Sequence, residues 1–309
     1  MARPSLRPRP AAGVFTSLLV TGGHTRGLAD HVARLDASAR QLFGKRLPAT
    51  LTGDLAARLA HNPSGRLRIT VQLAGRPLRA LVEVVPLDPR PPEVSLRPAV
   101  IDGGLGGHKW LDWQLLAELA RCLALQPGEQ LLIENADGEV LETDRADVLA
   151  VIGGVLHTPP ADGRLLPGIT RDAVLRAARL QGLGVSVAPV SRAGLQAASE
   201  VFVSNAVHGV RSVRSLAGSP PAWPTGPVVS QMAASLAAQP PRNRHRRPRS
   251  PPPERIIAAT AAGSGRPGHG PDQQLRLLHL QPRAHAHRLR LPGGGRPQRL
   301  GPTVESRPS

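Results

Sequence analysis

The chain has no tyrosine and only three phenylalanines and three tryptophans among 309 residues. An interior built on aromatic rings is thereby excluded; with 40% apolar residues a core is available, but leucine, valine and alanine must fill it. One cysteine, Cys122, rules out an intramolecular disulfide and a cysteine-rich metal site. Its place in the apolar run Leu116–Leu125 predicts a buried helix position. No apolar run is long enough to span a bilayer. The arginine- and proline-rich start, Met1 to Pro10, is not followed by the apolar stretch and cleavage site of a secretory signal, so a cytoplasmic setting is expected. Lysine is scarce: Lys45 and Lys109 are the only two.

Positive charge is nevertheless abundant, with a formal net charge of +17. Beyond Ala238 there are fourteen arginines against three acids (Glu254, Asp272 and Glu305), so this stretch holds +11 and the rest only +6. Clustered arginine can displace counterions from nucleic acid. Against that use, the stretch has no aromatic residue to stack on bases. Its Pro, Arg, His, Asn and Ser composition has little capacity to fold, and residues 239–309 read as a disordered tail.

Apolar spacing predicts a mixed α/β (α+β) chain in two lobes. Phe15–Val20 reads as a strand closed by Thr21-Gly22-Gly23, and Leu28, Val32, Leu35, Ala39 and Leu42 recur at helical spacing through Leu28–Phe43. A second helix covers Leu51–Leu59, and strands Leu67–Leu73 and Leu78–Val85 join at Gly75-Arg76-Pro77. Proline-rich Pro86–Pro98 reads as a linker. The lobes are therefore set at 1–98, with 1–13 disordered, and 99–238. In the second lobe, Gly103–Gly107 leads to His108-Lys109-Trp110 and the apolar helix Leu111–Leu125. Strands are expected at Gln130–Ile133, Glu139–Leu141 and Val148–Ile152, with a hairpin turn at Asp137-Gly138. A helix over Thr170–Leu183, strands Val185–Val190 and Val201–Val203, and a last helix Val228–Ala238 complete the inventory.

Lys45 closes an amphipathic helix beside Arg46 and reads as a solvated surface charge. Lys109 follows a glycine-rich loop and opens an apolar helix. That is also where an ordinary helix-start charge would stand; covalent chemistry on a carbonyl needs an amine partly withdrawn from water, with its pKa lowered. Gly168-Ile169-Thr170 opens another helix, where free N–H groups and the helix dipole favour a phosphate. Glu142 ends a strand; Glu134 and Glu139 read as exposed strand acids.

These landmarks fall in a definite order. Phe15-Thr16-Ser17 precedes His31-Val32-Ala33-Arg34-Leu35 and Ser38-Ala39. Lys109 is followed by Glu139-Val140-Leu141-Glu142, then Leu156-His157-Thr158-Pro159. Leu166-Pro167-Gly168-Ile169-Thr170-Arg171 and Glu200-Val201-Phe202-Val203-Ser204-Asn205 close the set. From about Phe15 to about Ala238 the chain resembles the class IV aminotransferases. These are two-lobed, fold type IV enzymes dependent on pyridoxal 5′-phosphate, and they include branched-chain aminotransferases, D-amino-acid aminotransferases and aminodeoxychorismate lyases.

The resemblance implies that Lys109 links the cofactor and shuttles protons, and that Glu142 faces the pyridine nitrogen. It implies that Arg34, Ile169, Thr170, Ser204 and Asn205 hold the phosphate, that Leu166 lies against the ring, and that Thr16 touches the substrate. It also implies a homodimer acting on a small molecule. The chain departs from the family in having Asp147 where an asparagine is usual, Leu111-Asp112-Trp113 where basic residues are frequent, and Ala206 near a customary threonine. It also begins so close to Val14 that a customary first hairpin is expected to be missing.

The expected reaction is 4-amino-4-deoxychorismate lyase, forming 4-aminobenzoate and pyruvate for folate precursor synthesis. Thr16 leans toward it, since lyases of the family often carry a threonine there. Asp272 to Pro282 can be back-translated with a choice of codons that, read one base later, spells Thr-Asn-Ser-Tyr-Asp-Ser-Phe-Thr-Tyr-Asn-Leu. That string resembles the opening of a glutamine amidotransferase subunit of the kind serving aminodeoxychorismate synthase, and makes the tail an out-of-frame reading of a neighbouring gene. A branched-chain or D-amino-acid transaminase, an inactive homologue, and a basic nucleic-acid-binding protein are the alternatives.

Overall fold

A computed structural model of the chain describes residues 8–73, 77–87, 91–218 and 222–239. The expected tail, apart from Gln239, lies outside them, as do residues 1–7 and most of the turn expected at 75–77. Residues 8–13, expected to be disordered, include a 3-10 turn at Pro10–Ala12 that leads into the first strand.

The smaller lobe carries β1 (Val14–Thr21), β2 (His24–Thr25), α1 (Leu28–Phe43), α2 (Leu51–His61), β3 (Ser64–Leu73) and β4 (Leu78–Val85). Its antiparallel sheet has the order β2-β1-β3-β4. The helices α1 and α2 turn Leu28, Leu35, Ala39, Leu51, Leu55 and Leu59 onto one face, against Val14, Leu18, Leu67, Ile69 and Val71. A glycine ends α1 because Gly44 takes φ 64, a left-handed conformation that lets its N–H reach the carbonyls of Ala39 and Arg40. Strand residues alternate across the sheet. Phe15, Ser17 and Leu19 therefore share the face away from the helices with their partners Thr70, Arg68 and Arg66.

The larger lobe contains β5 (Glu93–Val100), α3 (Gln114–Cys122), β6 (Glu129–Glu134), β7 (Glu139–Thr143), β8 (Asp147–Ile152) and β9 (Val155–Thr158). After these come α4 (Ile169–Leu180), β10 (Val185–Val187), β11 (Val190–Ser191), α5 (Arg192–Gln196), β12 (Glu200–Asn205), β13 (Gly209–Leu216) and α6 (Pro227–Ala238). The nine strands run β10-β9-β8-β12-β13-β5-β6-β7-β11, and β8 also pairs with β7. That extra pairing, Glu142 opposite Asp147, closes six of the strands on themselves. Inside the closed wall, Leu96, Leu132, Val148, Val203 and Val213 pack with Trp223. Outside it, α4 and α6 cover Leu149, Val151 and Phe202.

Several expectations change here. The expected linker Pro86–Pro98 contains most of β5, which pairs with β6 and β13 of the nine-stranded sheet. Proline is tolerated there for a geometric reason. The Ser95 and Ile101 amides bond to the β6 side, which turns position 98 toward β13, and β13 has stopped pairing at Leu96. Pro98 therefore costs no ladder bond. Val185–Val190 is not one strand: its halves pair with β9 and β7 at opposite ends of the sheet. Cys122 is exposed, because Leu116, Leu119, Ala120 and Leu123 form the inward face of α3 and Cys122 falls off it. Glu134, read as an exposed acid, is 0% exposed and ion-paired with Arg192, and Glu139 is ion-paired with Arg164. No described helix is long and apolar enough to cross a membrane.

Candidate active site

Lys109 stands where the two sheets meet. The Phe15 amide donates to the Lys109 carbonyl at 2.9 Å, and the Leu111 amide to Gly13 O at 2.9 Å. The first strand thus fastens residues 109–111 to its own start. Upstream, Gly104 takes φ +67, and the carbonyl of Arg164 occupies the space a Cβ would need. The Gly106 amide donates to that same carbonyl at 3.1 Å. Arg164 is itself fixed by Glu139 and Asp162. The glycine-rich segment is therefore a packed bracket for Lys109.

A cavity of about 430 Å³ opens beside it. Arg34, Lys109, Glu142, Leu166, Ile169, Thr170, Ser204 and Asn205 all line it. Thr16 does not. It is 1% exposed on the helix-covered face of β1 and hydrogen-bonds His31 Nδ1 at 2.6 Å, while its neighbours Phe15 and Ser17 face the cavity. The expected substrate contact of Thr16 is thus corrected: strand alternation points it into the core. Asn205 lines the cavity, but its carboxamide oxygen accepts from the Val207 and His208 amides and shapes the β12–β13 turn.

Burial governs the electrostatics. Lys109 falls from 10.5 to about 8, first through desolvation and then through Arg34, with Glu142 and Asp147 opposing. Glu142 rises from 4.5 to about 8, through burial and then the neighbouring Asp147. Asp147 rises to about 6 through burial, restrained by Arg171 and Arg34. Arg34 donates to Pro167 O at 2.7 Å and so ties α1 to the segment ahead of α4. The Leu166 amide donates to Glu142 at 3.4 Å. Lys109 Nζ lies 5.0 Å from the Phe15 ring centroid.

This donor set suits the cofactor that the resemblance implies. Gly168 begins α4 with no side-chain cap, leaving first-turn amides open to an anion. Ser204 Oγ is buried, borders the cavity and has no hydrogen-bond partner. Such an orphan is costly unless a ligand satisfies it. A carboxylate and a pKa-lowered amine complete what a phosphorylated pyridine aldehyde would need. Among the described residues no cluster of His, Cys, Asp or Glu could hold a metal.

Other lining residues escaped the sequence reading. His31 is buried and held neutral, down to about 3, by desolvation and then Arg34. Arg66 and Arg68 alternate along β3 into the cavity, and Arg68 stacks 4.1 Å over Phe15. Their signal was present as arginines two apart in a strand whose intervening residues are apolar. Asp147 stood out only as a departure from the family pattern.

Comparison with known proteins agrees with this geometry. A model of the amino-transferase class IV family matches residues 13–216. The branched-chain-amino-acid aminotransferase of Escherichia coli K12 is 36% identical over 112 residues, covering 36% of this chain and 35% of that protein. The match thus spans about a third of the length of these curated relatives. The solved 4-amino-4-deoxychorismate lyase of Pseudomonas aeruginosa is 26% identical with a TM-score of 0.64, covering 76% of this chain and 95% of that one. A structure described as a putative lyase of the same kind from Legionella pneumophila shares the fold at 20% identity, with a TM-score of 0.67 and coverage of 77% and 95%. A family match over most of the described residues, laid on a pocket with this lysine and this carboxylate, leaves one assignment: the chain belongs to the class IV aminotransferases, pyridoxal-phosphate-dependent enzymes.

Proposed function

We propose that the chain is a 4-amino-4-deoxychorismate lyase, releasing pyruvate and 4-aminobenzoate. The observation that carries this reading is the charge of the cavity wall built by β3. Arg66 and Arg68 stand side by side there, and Arg66 Nε has no hydrogen-bond partner. Aminodeoxychorismate bears two carboxylates, which guanidinium groups bind well. A branched aliphatic side chain gains nothing from that wall. The likeness to the Pseudomonas lyase structure supports the same reading; Thr16 no longer does, since it points away.

In this reading Glu142 faces the pyridine nitrogen, Leu166 supports one ring face, and the phosphate sits among Arg34, the Ile169 and Thr170 amides and Ser204. Bound cofactor supplies an electron sink for negative charge on the carbon that carries the substrate amine. Lys109 would hold the cofactor until the substrate amine displaces it. The freed amine would then take the proton from that carbon and return one to the departing three-carbon fragment as pyruvate leaves, and an amine whose pKa is near 8 can do both at neutral pH. Phe15 and Trp113, with ring centroids 6.3 Å apart, exclude water beside it. The chain works in the cytoplasm as a homodimer beside a glutamine amidotransferase-dependent synthase.

Transamination on the same scaffold is the second reading, favoured by the curated branched-chain relatives. Two assays separate them: 4-aminobenzoate released from aminodeoxychorismate, and amino transfer from branched-chain or D-amino acids to 2-oxoglutarate. Turnover in the second with silence in the first overturns the lyase reading. A monomer on size-exclusion with light scattering would count against the dimer, and the coding DNA past Ala238 tests the link to the synthase.

A further inference from the structure

We propose that Asp147 sets how tightly this chain holds its phosphorylated cofactor, because it places a second carboxylate against the helix start that receives the phosphate. This rests on the phosphate position assigned above.

Asp147 is the junction of three elements. It opens β8, stands opposite Glu142 of β7 where the large sheet closes, and stands opposite Ser204 of β12. Its side chain packs on the N-cap of α4: a Cβ added to Gly168 would run into both carboxylate oxygens. Only glycine fits at that N-cap while this carboxylate is there. Asp147 is 9% exposed and borders the cavity.

The charges around it are few and specific. Arg34 faces it from α1, Lys109 from the glycine-rich segment, Arg171 and Asp172 from α4, and Glu142 from β7, while Ser204 stands opposite it on β12. Of the cations, Arg171 is already occupied, donating to Thr158 Oγ1 and to the Pro159 carbonyl. A phosphate dianion arriving at α4 meets Arg34 and the open amides, but also the Asp147 carboxylate. Two like charges a few ångströms apart in a desolvated site repel strongly, and the weaker acid takes up a proton. Burial has already moved Asp147 up to about 6, so the proton is held at modest cost. Binding is therefore coupled to protonation of Asp147, and affinity falls as pH rises above 6.

The test uses pyridoxamine 5′-phosphate, which has the phosphate and ring but cannot bond to Lys109. Calorimetry of the full chain at pH 7, in buffers of different ionisation enthalpy, should show the parent taking up more protons on binding than its neutral Asp147 variants do, a difference that cancels any proton released by Glu142. Asp147→Asn, and Asp147→Ser as a second neutral variant, should bind on the order of tenfold tighter than the parent at pH 8 and converge with it toward pH 6. Melting without ligand checks that each variant is folded. Arg34→Gln is the control on the phosphate position, and it should weaken binding at both pH values. If Arg34→Gln changes nothing, the phosphate assignment falls and this proposal with it. If Arg34→Gln weakens binding but the neutral variants bind no tighter at pH 8, and the parent takes up no more protons than they do, the proposal about Asp147 alone is overturned.

Discussion

Thr16 and His31 share a 2.6 Å hydrogen bond in the core of the smaller lobe, with His31 bordering the cavity and Thr16 behind it. Arg34 Nη2 donates to the same Thr16 oxygen at 3.5 Å, and the hydroxyl proton is then available to His31 Nδ1 when that nitrogen carries none. That arrangement needs a neutral imidazole, and burial followed by Arg34 lowers His31 from 6.5 to about 3. Folding therefore excludes a proton that the unfolded chain binds below pH 6.5. The resulting stability is complete above 6.5 and lost as pH falls toward 3, by up to about 1.4 kcal/mol per pH unit. Because Glu142 and Asp147 slope the other way over the same range, the test is the difference between parent and His31→Gln in urea unfolding from pH 7 to 4, which should change by this slope. Thr16→Val should cost about 1–2 kcal/mol by stranding His31 Nδ1, with turnover per folded site nearly unchanged. A selective loss of turnover would return Thr16 to the substrate site.

Lys109 makes the second prediction. Its free amine is the reactive form, and a pKa lowered to about 8 means that capture of added cofactor accelerates about tenfold per pH unit up to 8, then levels. Stopped-flow absorbance of cofactor uptake measures this directly. After borohydride reduction, peptide mapping should find the phosphopyridoxyl group on Lys109 and not on Lys45. Lys109→Arg should abolish both the adduct and turnover. An acceleration that continues to pH 10 would show that the amine is not desolvated.

The two lobes differ in how openly the sequence displays them. Leu28–Phe43 and Leu78–Val85 are read to the residue, since one has apolar side chains at helical spacing stopped by Gly44, and the other is a run of apolar residues that starts just after Pro77. The strands β5 and β13 are hidden. Pro98 mimics a linker, and the Arg and Ser of β13 mask its buried Val213 and Leu216, because a strand inside a closed sheet is specified by neighbours far away in sequence. In the candidate site, scarcity makes Lys109 conspicuous. Arg66 and Arg68 belong to no sequence motif; only the fold shows that they line a cavity. Thr16 is singled out by resemblance to lyases of the family, which names a position but not the face of β1 it takes; in the fold it shares the helix-covered face with Val14 and Leu18.

Glu142 links stability to function with opposite signs. Burial and Asp147 raise it from 4.5 to about 8 in the folded chain, so the native state holds a proton more firmly than the unfolded one. Its contribution favours folding at low pH and is lost as pH climbs from 4.5 through 8. Without cofactor, Glu142→Gln should therefore match the parent near pH 5 and exceed it by about 1–3 kcal/mol at pH 8.5. With cofactor the same change should lower kcat by at least about a hundredfold, since a neutral amide cannot balance a protonated ring nitrogen. Denaturant melts at the two pH values and one kinetic assay decide it. A variant that is less stable at pH 8.5 would mean that Lys109 and Arg34 outweigh burial at this carboxylate.

Gly104 tests the bracket that holds Lys109. At φ +67, with the Arg164 carbonyl where a Cβ would sit and Leu141 Cδ1 2.9 Å away, alanine meets both a disfavoured backbone and a backbone clash. Gly104→Ala should cost about 2–4 kcal/mol, read as a shifted urea midpoint. Because the displaced segment ends at Lys109, cofactor capture by the folded fraction should slow as well. Gly107→Ala, where a Cβ meets nothing within 4 Å and no positive φ is needed, should leave both stability and capture within about twofold of the parent. The contrast between two alanines three residues apart isolates the close approach to Arg164: equal effects at both positions would mean that general loop flexibility, and not that contact, places the lysine.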